Sequence, residues 1–225
     1  MKYLNEELYQ KTQLFHFPAE GNLTMEELLE EFELDLEEFL WQELMANEEA
    51  YQKYLPEALR HKLFDEHGEI SFQETDEELL KEITKFRQAV DSEWAKVTAK
   101  IRQEKQLLRK TASPAVRKLL DLELNESEIR RVSGVETDKI TMKLYPAWDM
   151  GKVVTLTFTG VKDGWMSHLH PDDADWWLAD EIIADEEREG RYVMYALFGN
   201  AASVGGIQFS FSDVEVLEQN DPLGF

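Results

Sequence analysis

The 225-residue sequence contains no cysteine. Disulfides, iron–sulfur clusters, thiolate zinc sites and a cysteine nucleophile are therefore excluded, and nothing speaks for an oxidising compartment. Long apolar runs are missing as well. No window approaches the roughly 18–20 apolar residues of a membrane span, and Met1-Lys2-Tyr3 leads to Glu6 without the apolar stretch of a secretory signal. The expected location is the cytoplasm. Positive charge is scarce, with 24 Lys and Arg against 47 Asp and Glu and a formal net charge of -23. A field of that sign repels phosphate backbones and anionic lipid, so neither nucleic acid nor membrane is an expected partner. Catalytic signatures are missing too. The stretch Gly199-Asn200-Ala201-Ala202-Ser203-Val204-Gly205-Gly206 lacks the Lys and Ser/Thr of a phosphate loop and precedes a strand pattern, which suits a hairpin connection. No Gly-x-Ser-x-Gly elbow, His-Glu-x-x-His helix or dinucleotide fingerprint occurs.

What is present divides unevenly. Residues 1–80 hold 22 acids and 5 bases, residues 81–124 hold 6 and 11, and residues 125–225 hold 19 and 8. A basic segment thus lies between two acidic ones. Periodicity divides the chain in a similar place. Leu4, Leu8, Leu14 and Phe15 predict a short helix from about Asn5, ended by Pro18 and Gly21. Thr24 with Glu27 forms a capping box, and Leu28, Leu29, Phe32, Leu36, Phe39, Leu40 and Leu44 repeat at helical spacing, predicting one helix to about Lys53. Pro56 opens a further helix to about Phe64, followed by a turn at Asp65-Glu66-His67-Gly68. Asp76 caps the longest periodic segment, from Leu79 to about Lys110, and Ser113-Pro114 starts a last short helix to about Leu124.

Beyond residue 125 the period falls from 3.6 to two. Ile140, Met142 and Leu144, then Val154, Leu156 and Phe158, then Val193, Tyr195 and Leu197, then Ile207, Phe209 and Phe211, then Val214 and Val216 alternate with polar neighbours. No helix long enough for a parallel crossover separates these runs, which argues for an antiparallel sheet. The expectation is an α+β fold: an acidic helical region, residues 1–124, with about five helices, two of them long, packed with an antiparallel β-sheet region, residues 125–225, in one compact unit.

Several strings give this chain a resemblance to a known family. They are Met1-Lys2-Tyr3 with Tyr9, Tyr54-Leu55-Pro56-Glu57, Leu156-Thr157-Phe158-Thr159-Gly160-Val161, Trp177-Leu178 with Asp180-Glu181-Ile182, and Leu197-Phe198. Together they resemble a bacterial family designated domain of unknown function 4085. The resemblance implies an N-terminal helical part and a C-terminal sheet, and it carries no reaction and no site residues to transfer.

Three constellations carry chemistry. In the string from Trp165-Met166-Ser167-His168-Leu169-His170-Pro171-Asp172-Asp173-Ala174-Asp175 to Trp177, the alternation of a strand gives His168 and His170 a common face, where two imidazoles with a carboxylate from Asp172, Asp173 or Asp175 suit a divalent transition metal. The competing reading is a Pro-Asp loop whose carboxylates cap the next element, with no cofactor at all. Asp180, Glu181, Asp185, Glu186, Glu187 and Glu189 flank Ile182-Ile183 and read either as paired acid and base of a hydrolase or, preferred here, as a solvated edge-strand or loop face. The acidic run of residues 24–40, with eight acids and no base, can present Glu26, Glu30, Glu33 and Glu37 to a basic protein partner, as an immunity-like or regulatory protein would. The basic helix of Lys81 to Lys110 offers the opposing, internal explanation of that run.

Aromatic residues concentrate in the C-terminal half. Trp177 and Tyr195 are expected in the core, Trp165 and Trp176 beside turns are expected to be partly exposed and to anchor a partner, and Trp148 belongs to the set that suits a ligand cleft. The reading favours a non-enzymatic interaction protein. A metal-dependent hydrolase or metal-binding protein centred on His168 and His170 is the alternative, and a small-ligand binder with a pocket between helices and sheet is a third.

Overall fold

A computed structural model describes residues 2–15, 36–72, 77–149, 151–167, 175–200 and 204–221. Six helices and eight strands lie among the described residues. The helices are α1 (Glu6–Gln13), α2 (Leu36–Ala46), α3 (Glu48–Tyr54), α4 (Glu57–Leu63), α5 (Glu77–Thr111) and α6 (Pro114–Leu120). The strands are β1 (Glu128–Ser133), β2 (Lys139–Tyr145), β3 (Lys152–Thr159), β4 (Lys162–Ser167), β5 (Asp175–Ala184), β6 (Tyr192–Gly199), β7 (Val204–Phe211) and β8 (Asp213–Asn220). The α+β class stands as expected, while the count of about five helices with two long ones needs correction. One helix, α5, runs for 35 residues. The second long helix expected to reach Lys53 is interrupted at Asn47, where α3 begins. Asn47 leaves the helical region with φ -138° and becomes the residue before α3, its backbone carbonyl accepting the first bonds of that helix from Ala50 and Tyr51, 3.0 and 3.1 Å; Asn is among the residues that favour such helix starts. Glu48 and Glu49 then meet the positive end of the new helix.

The chain divides into two compact units, Glu7–Lys96 and a sheet unit made of Met1–Glu6 with Val97–Phe225, so the division falls inside α5. The helical unit closes over a core of Leu14, Phe15, Phe39, Leu40, Leu44, Tyr51, Leu55, Leu59, Leu63, Phe64, Leu79 and Ile83. Arg87 donates to the carbonyls of Thr12 and Leu14, both at 2.9 Å, which satisfies acceptors that the end of α1 leaves open. At the turn after α4, the Asp65 carboxylate accepts from the amides of His67 and Glu69, and Gly68 adopts φ +82°, as the sequence signal implied.

In the sheet unit all strands are antiparallel, in the order β4-β7-β6-β5-β1-β2-β3-β8. Two three-stranded meanders, β1-β2-β3 and β5-β6-β7, lie side by side through β1 and β5. Each is completed by the strand that follows the other: β4 pairs with β7, and β8 with β3. Five steps separate β7 from β3, which in a flat sheet is roughly 24 Å. Yet the Phe158 ring of β3 lies 4.9 and 5.0 Å from those of Phe209 and Phe211 on β7. The sheet is therefore strongly coiled, with one face wrapped around a core that includes Ile140, Met142, Leu144, Leu156, Phe158, Trp177, Met194, Phe198 and Phe209. Gly134 makes the β1–β2 hairpin possible: its φ is +84°, and a Cβ there would collide with the Lys139 carbonyl. Helix α6 starts as its sequence requires, with the Ser113 hydroxyl accepting from the Val116 amide at 3.2 Å and Pro114 in the first turn, and its Val116 and Leu119 enter the same core.

Two readings of the strands change. On β6 it is Met194, Ala196 and Phe198 that face the core, while Tyr195 and Leu197 are buried on the opposite face. Both faces of this strand are covered, so apolar alternation does not distinguish them. The acids Asp180 and Glu181 are not solvated: β1 pairs only with Asp175 and Trp176 of β5, but beyond that pairing the N-terminal segment covers Glu181 and Lys105 covers Asp180, and Asp185 to Glu189 form the turn that follows. A bulge between Trp177 and Ala179 reverses the facing of the residues around it.

Candidate functional site

Helix α2 exposes one side. Phe39, Leu40 and Leu44 are buried, whereas Glu37 and Glu38 in the first turn are exposed, followed by Trp41 at 43 % and Met45 at 65 % exposure. Residues 37, 41 and 45 are four apart, so acid and large apolar side chains form one stripe. The Trp41 ring leans on Phe72 with centroids 5.6 Å apart, which holds it in place without covering it. Beneath this helix is a buried polar node. The Tyr51 hydroxyl donates to Glu43 at 2.8 Å and accepts from the Phe15 amide at 2.6 Å. Burial pushes Glu43 above the usual carboxylate range, against the opposing pull of the Tyr51 hydrogen bond and the Arg87 charge. Burial, reinforced by the Glu43 charge, likewise raises Tyr51.

On the sheet unit, Trp165 is 51 % and Trp176 45 % exposed. Each precedes a core-facing residue, Met166 and Trp177, so both stand on the outer face of the sheet. Trp177 and Tyr195 are both buried, at 0 and 3 %, Trp177 within the core as expected and Tyr195 on the opposite face. Also on the outer face, Glu181 is 2 % exposed, and one carboxylate oxygen accepts from the amides of Tyr3 and Leu4 at 3.1 and 2.9 Å. Neighbouring Tyr195 is pushed up to about 12, first by burial and then by the charges of Glu6 and Glu181. This buried carboxylate anchors the N-terminal segment.

A cleft of about 1030 Å³ opens in the same unit. Its walls are Arg102, Lys105, Gln106 and Arg109 of α5, the connection from Leu120 to Glu126, Ala147 and Trp148, and Asp180 of β5. Two of the cations are already paired: Lys105 with Asp180, and Arg109 with Asp121 at 2.8 Å. Asp180 also accepts from the Trp177 indole at 3.2 Å. Trp148 donates its indole N–H to the Glu123 carbonyl at 3.0 Å and keeps 45 % of its surface exposed.

Of the remaining sequence candidates, Glu26, Glu30, Glu33, His168, His170 and Asp172 lie outside the described residues. Among the described residues no group of three or more His, Asp or Glu side chains is arranged to hold a metal ion, and no helix is long and apolar enough to cross a membrane. Trp41 and Met45 escaped the sequence reading. The signal was there, as large apolar residues one position beyond the buried Leu40 and Leu44, on the far edge of the stripe.

Fold and surface together define an α+β protein with a coiled antiparallel sheet, exposed tryptophans and a polar cleft. A family model described as protein of unknown function (DUF4085) matches residues 3–198, and the chain belongs to that family. Neither a curated protein nor a solved structure matches it.

Proposed function

We propose that this chain is a non-enzymatic interaction protein, of immunity or regulatory type, that binds a basic protein through the acidic residues 24–40 and the exposed stripe of α2. The observation that best supports this reading is the pair Trp41 and Met45, one turn apart and largely exposed, directly after eight acids without a base. Aromatic and Met side chains surrounded by charge match the anatomy of a protein interface, where a few large apolar anchors dominate affinity and the charged rim sets on-rate and partner choice. A net charge of -23 selects a cationic partner. Trp165 and Trp176 are second anchors for the same partner class, on the sheet unit. The metal-centred reading gains no supporting observation.

A photo-crosslinking residue in place of Met45, used in the source cells and followed by mass spectrometry, supplies the candidate partner. Purified, that partner should be basic, bind the chain less tightly as salt rises, and lose about 2 kcal/mol or more of affinity to Trp41→Ala. Reversal of Glu26, Glu30, Glu33 and Glu37 to Lys should slow association. An acidic partner, or binding indifferent to both variants, rules the reading out.

A further inference from the structure

The cleft beside α5 has a second character, independent of the α2 stripe. Its charges nearly balance, with Arg102, Lys105 and Arg109 facing Asp121, Glu123, Glu126 and Asp180. Since Lys105 and Arg109 are committed to Asp180 and Asp121, the cleft has no concentrated positive field to hold an anion and no unopposed group of acids to hold a cation. What it offers is planar and polar: the Arg102 guanidinium, the Gln106 and Asn125 amides and the Glu126 carboxylate, all exposed. Opposite polarity is supplied by one flat apolar surface. Trp148 is held by its bond to the Glu123 carbonyl, and Lys152, itself paired with Asp149 at 3.0 Å, covers the ring from 5.3 Å on one side. Almost half of the Trp148 surface nevertheless stays open.

A fixed indole plane beside paired donors and acceptors on short planar groups fits a ligand with one apolar face and a rim of hydroxyls. From this juxtaposition we infer that the cleft is a binding site for a neutral, hydroxyl-rich ligand of saccharide type, with Trp148 stacking on the C–H face of a sugar ring and Arg102, Gln106 and Asn125 bonding its hydroxyls. The volume of about 1030 Å³ accommodates more than one sugar ring. Such a ligand is available free in solution or as a segment of a neutral polysaccharide, and the chemistry of recognition is the same.

Saturation-transfer NMR on the full chain with neutral mono- to tetrasaccharides tests the free source, and co-sedimentation with insoluble neutral polysaccharides tests the polymeric one. Inorganic phosphate and a nucleotide serve as anionic probes in the same series. The expected result is transfer to sugar C–H protons in at least one arm, weakened about tenfold or more by Trp148→Ala, partly restored in Trp148→Phe, and weakened severalfold by Gln106→Ala. Trp41→Ala should leave it unchanged, which separates this site from the interaction surface of α2. Because Trp148→Ala also removes the bond to Glu123, its thermal midpoint is measured alongside. If that variant does not fold, Trp148→Phe and Gln106→Ala carry the same test. The inference is overturned if no saccharide binds below about 10 mM in either arm, if binding survives the foldable variants undiminished, or if only the anionic probes bind.

Discussion

The helical unit and the sheet unit handle the same acidic composition differently. Among the described residues between Glu7 and Lys96, buried polar groups are few, Thr12 and the Tyr51 hydroxyl with its Glu43 partner, and acids such as Glu37, Glu38, Glu48 and Glu57 face solvent. In the sheet unit Asp175 and Glu181 are buried along with Ser127 and Ser210, and Asp180 is nearly so. Geometry explains the contrast. A surface helix has one side for water and one for the core, so acids segregate by phase. Where the N-terminal segment and α5 cover β5, an acid is taken out of water and must find a partner: Glu181 the amides of Tyr3 and Leu4, Asp180 the Lys105 ammonium and the Trp177 indole. Charge in the helical unit is thus available to a partner, while much of the charge on β5 is structural.

The contrast is sharpened first by Trp177→Ala. Its side chain is fully buried among the strands, and truncation should cost the sheet unit about 3–5 kcal/mol by urea denaturation. Less should follow from Tyr51→Phe in the helical unit, about 1–3 kcal/mol, since the Phe15 amide and Glu43 lose their common partner. A loss as large as that of Trp177→Ala would break the comparison, since the Tyr51 node would then matter to its unit as much as the largest buried side chain does to the sheet. Smaller again is the effect at Glu43. Its folded pKa is raised, so its contribution to stability is complete below the unfolded value of about 4.3 and fades as pH rises through the folded value. Glu43→Gln should therefore match the parent near pH 4 and melt increasingly above it toward pH 7; a gap that narrows with pH has the wrong sign. The smallest effect belongs to Trp41→Ala, which should change stability by about 1 kcal/mol or less because the ring is already largely in water. A larger loss would make Trp41 a core residue and remove it from the interaction surface.

The sequence conveyed the class, the cap of α6, the extent of α5 and the turn at Gly68, because each depends on local chemistry. Buried faces of β2 and β3 were legible since one side of each alternates cleanly. The break at Asn47 was not, because Leu40, Leu44 and Tyr51 stay in helical phase across it. The facing of β6 and the interior position of β5 were not either, because both depend on which strands cover them, and strand order is set by pairings such as Thr155 with Leu217 that no local pattern records. Of the candidate surfaces, exposure at Trp165 and Trp176 followed from their flanking turn residues. The cleft did not, since its walls come from α5, the α6–β1 connection, the approach to β3 and the middle of β5.

The exchange of β4 and β8 between the two meanders also sets an order of events during synthesis. Strand β4, complete at residue 167, has no neighbour in the sheet until residues 204–211 exist, and β3 waits for residues 213–220. A nascent chain therefore carries two open strand edges through the making of β5 and β6, and neither meander can be finished without the other. Chains shortened before residue 204 keep both of these edges open, and open edges are where strands of other molecules pair.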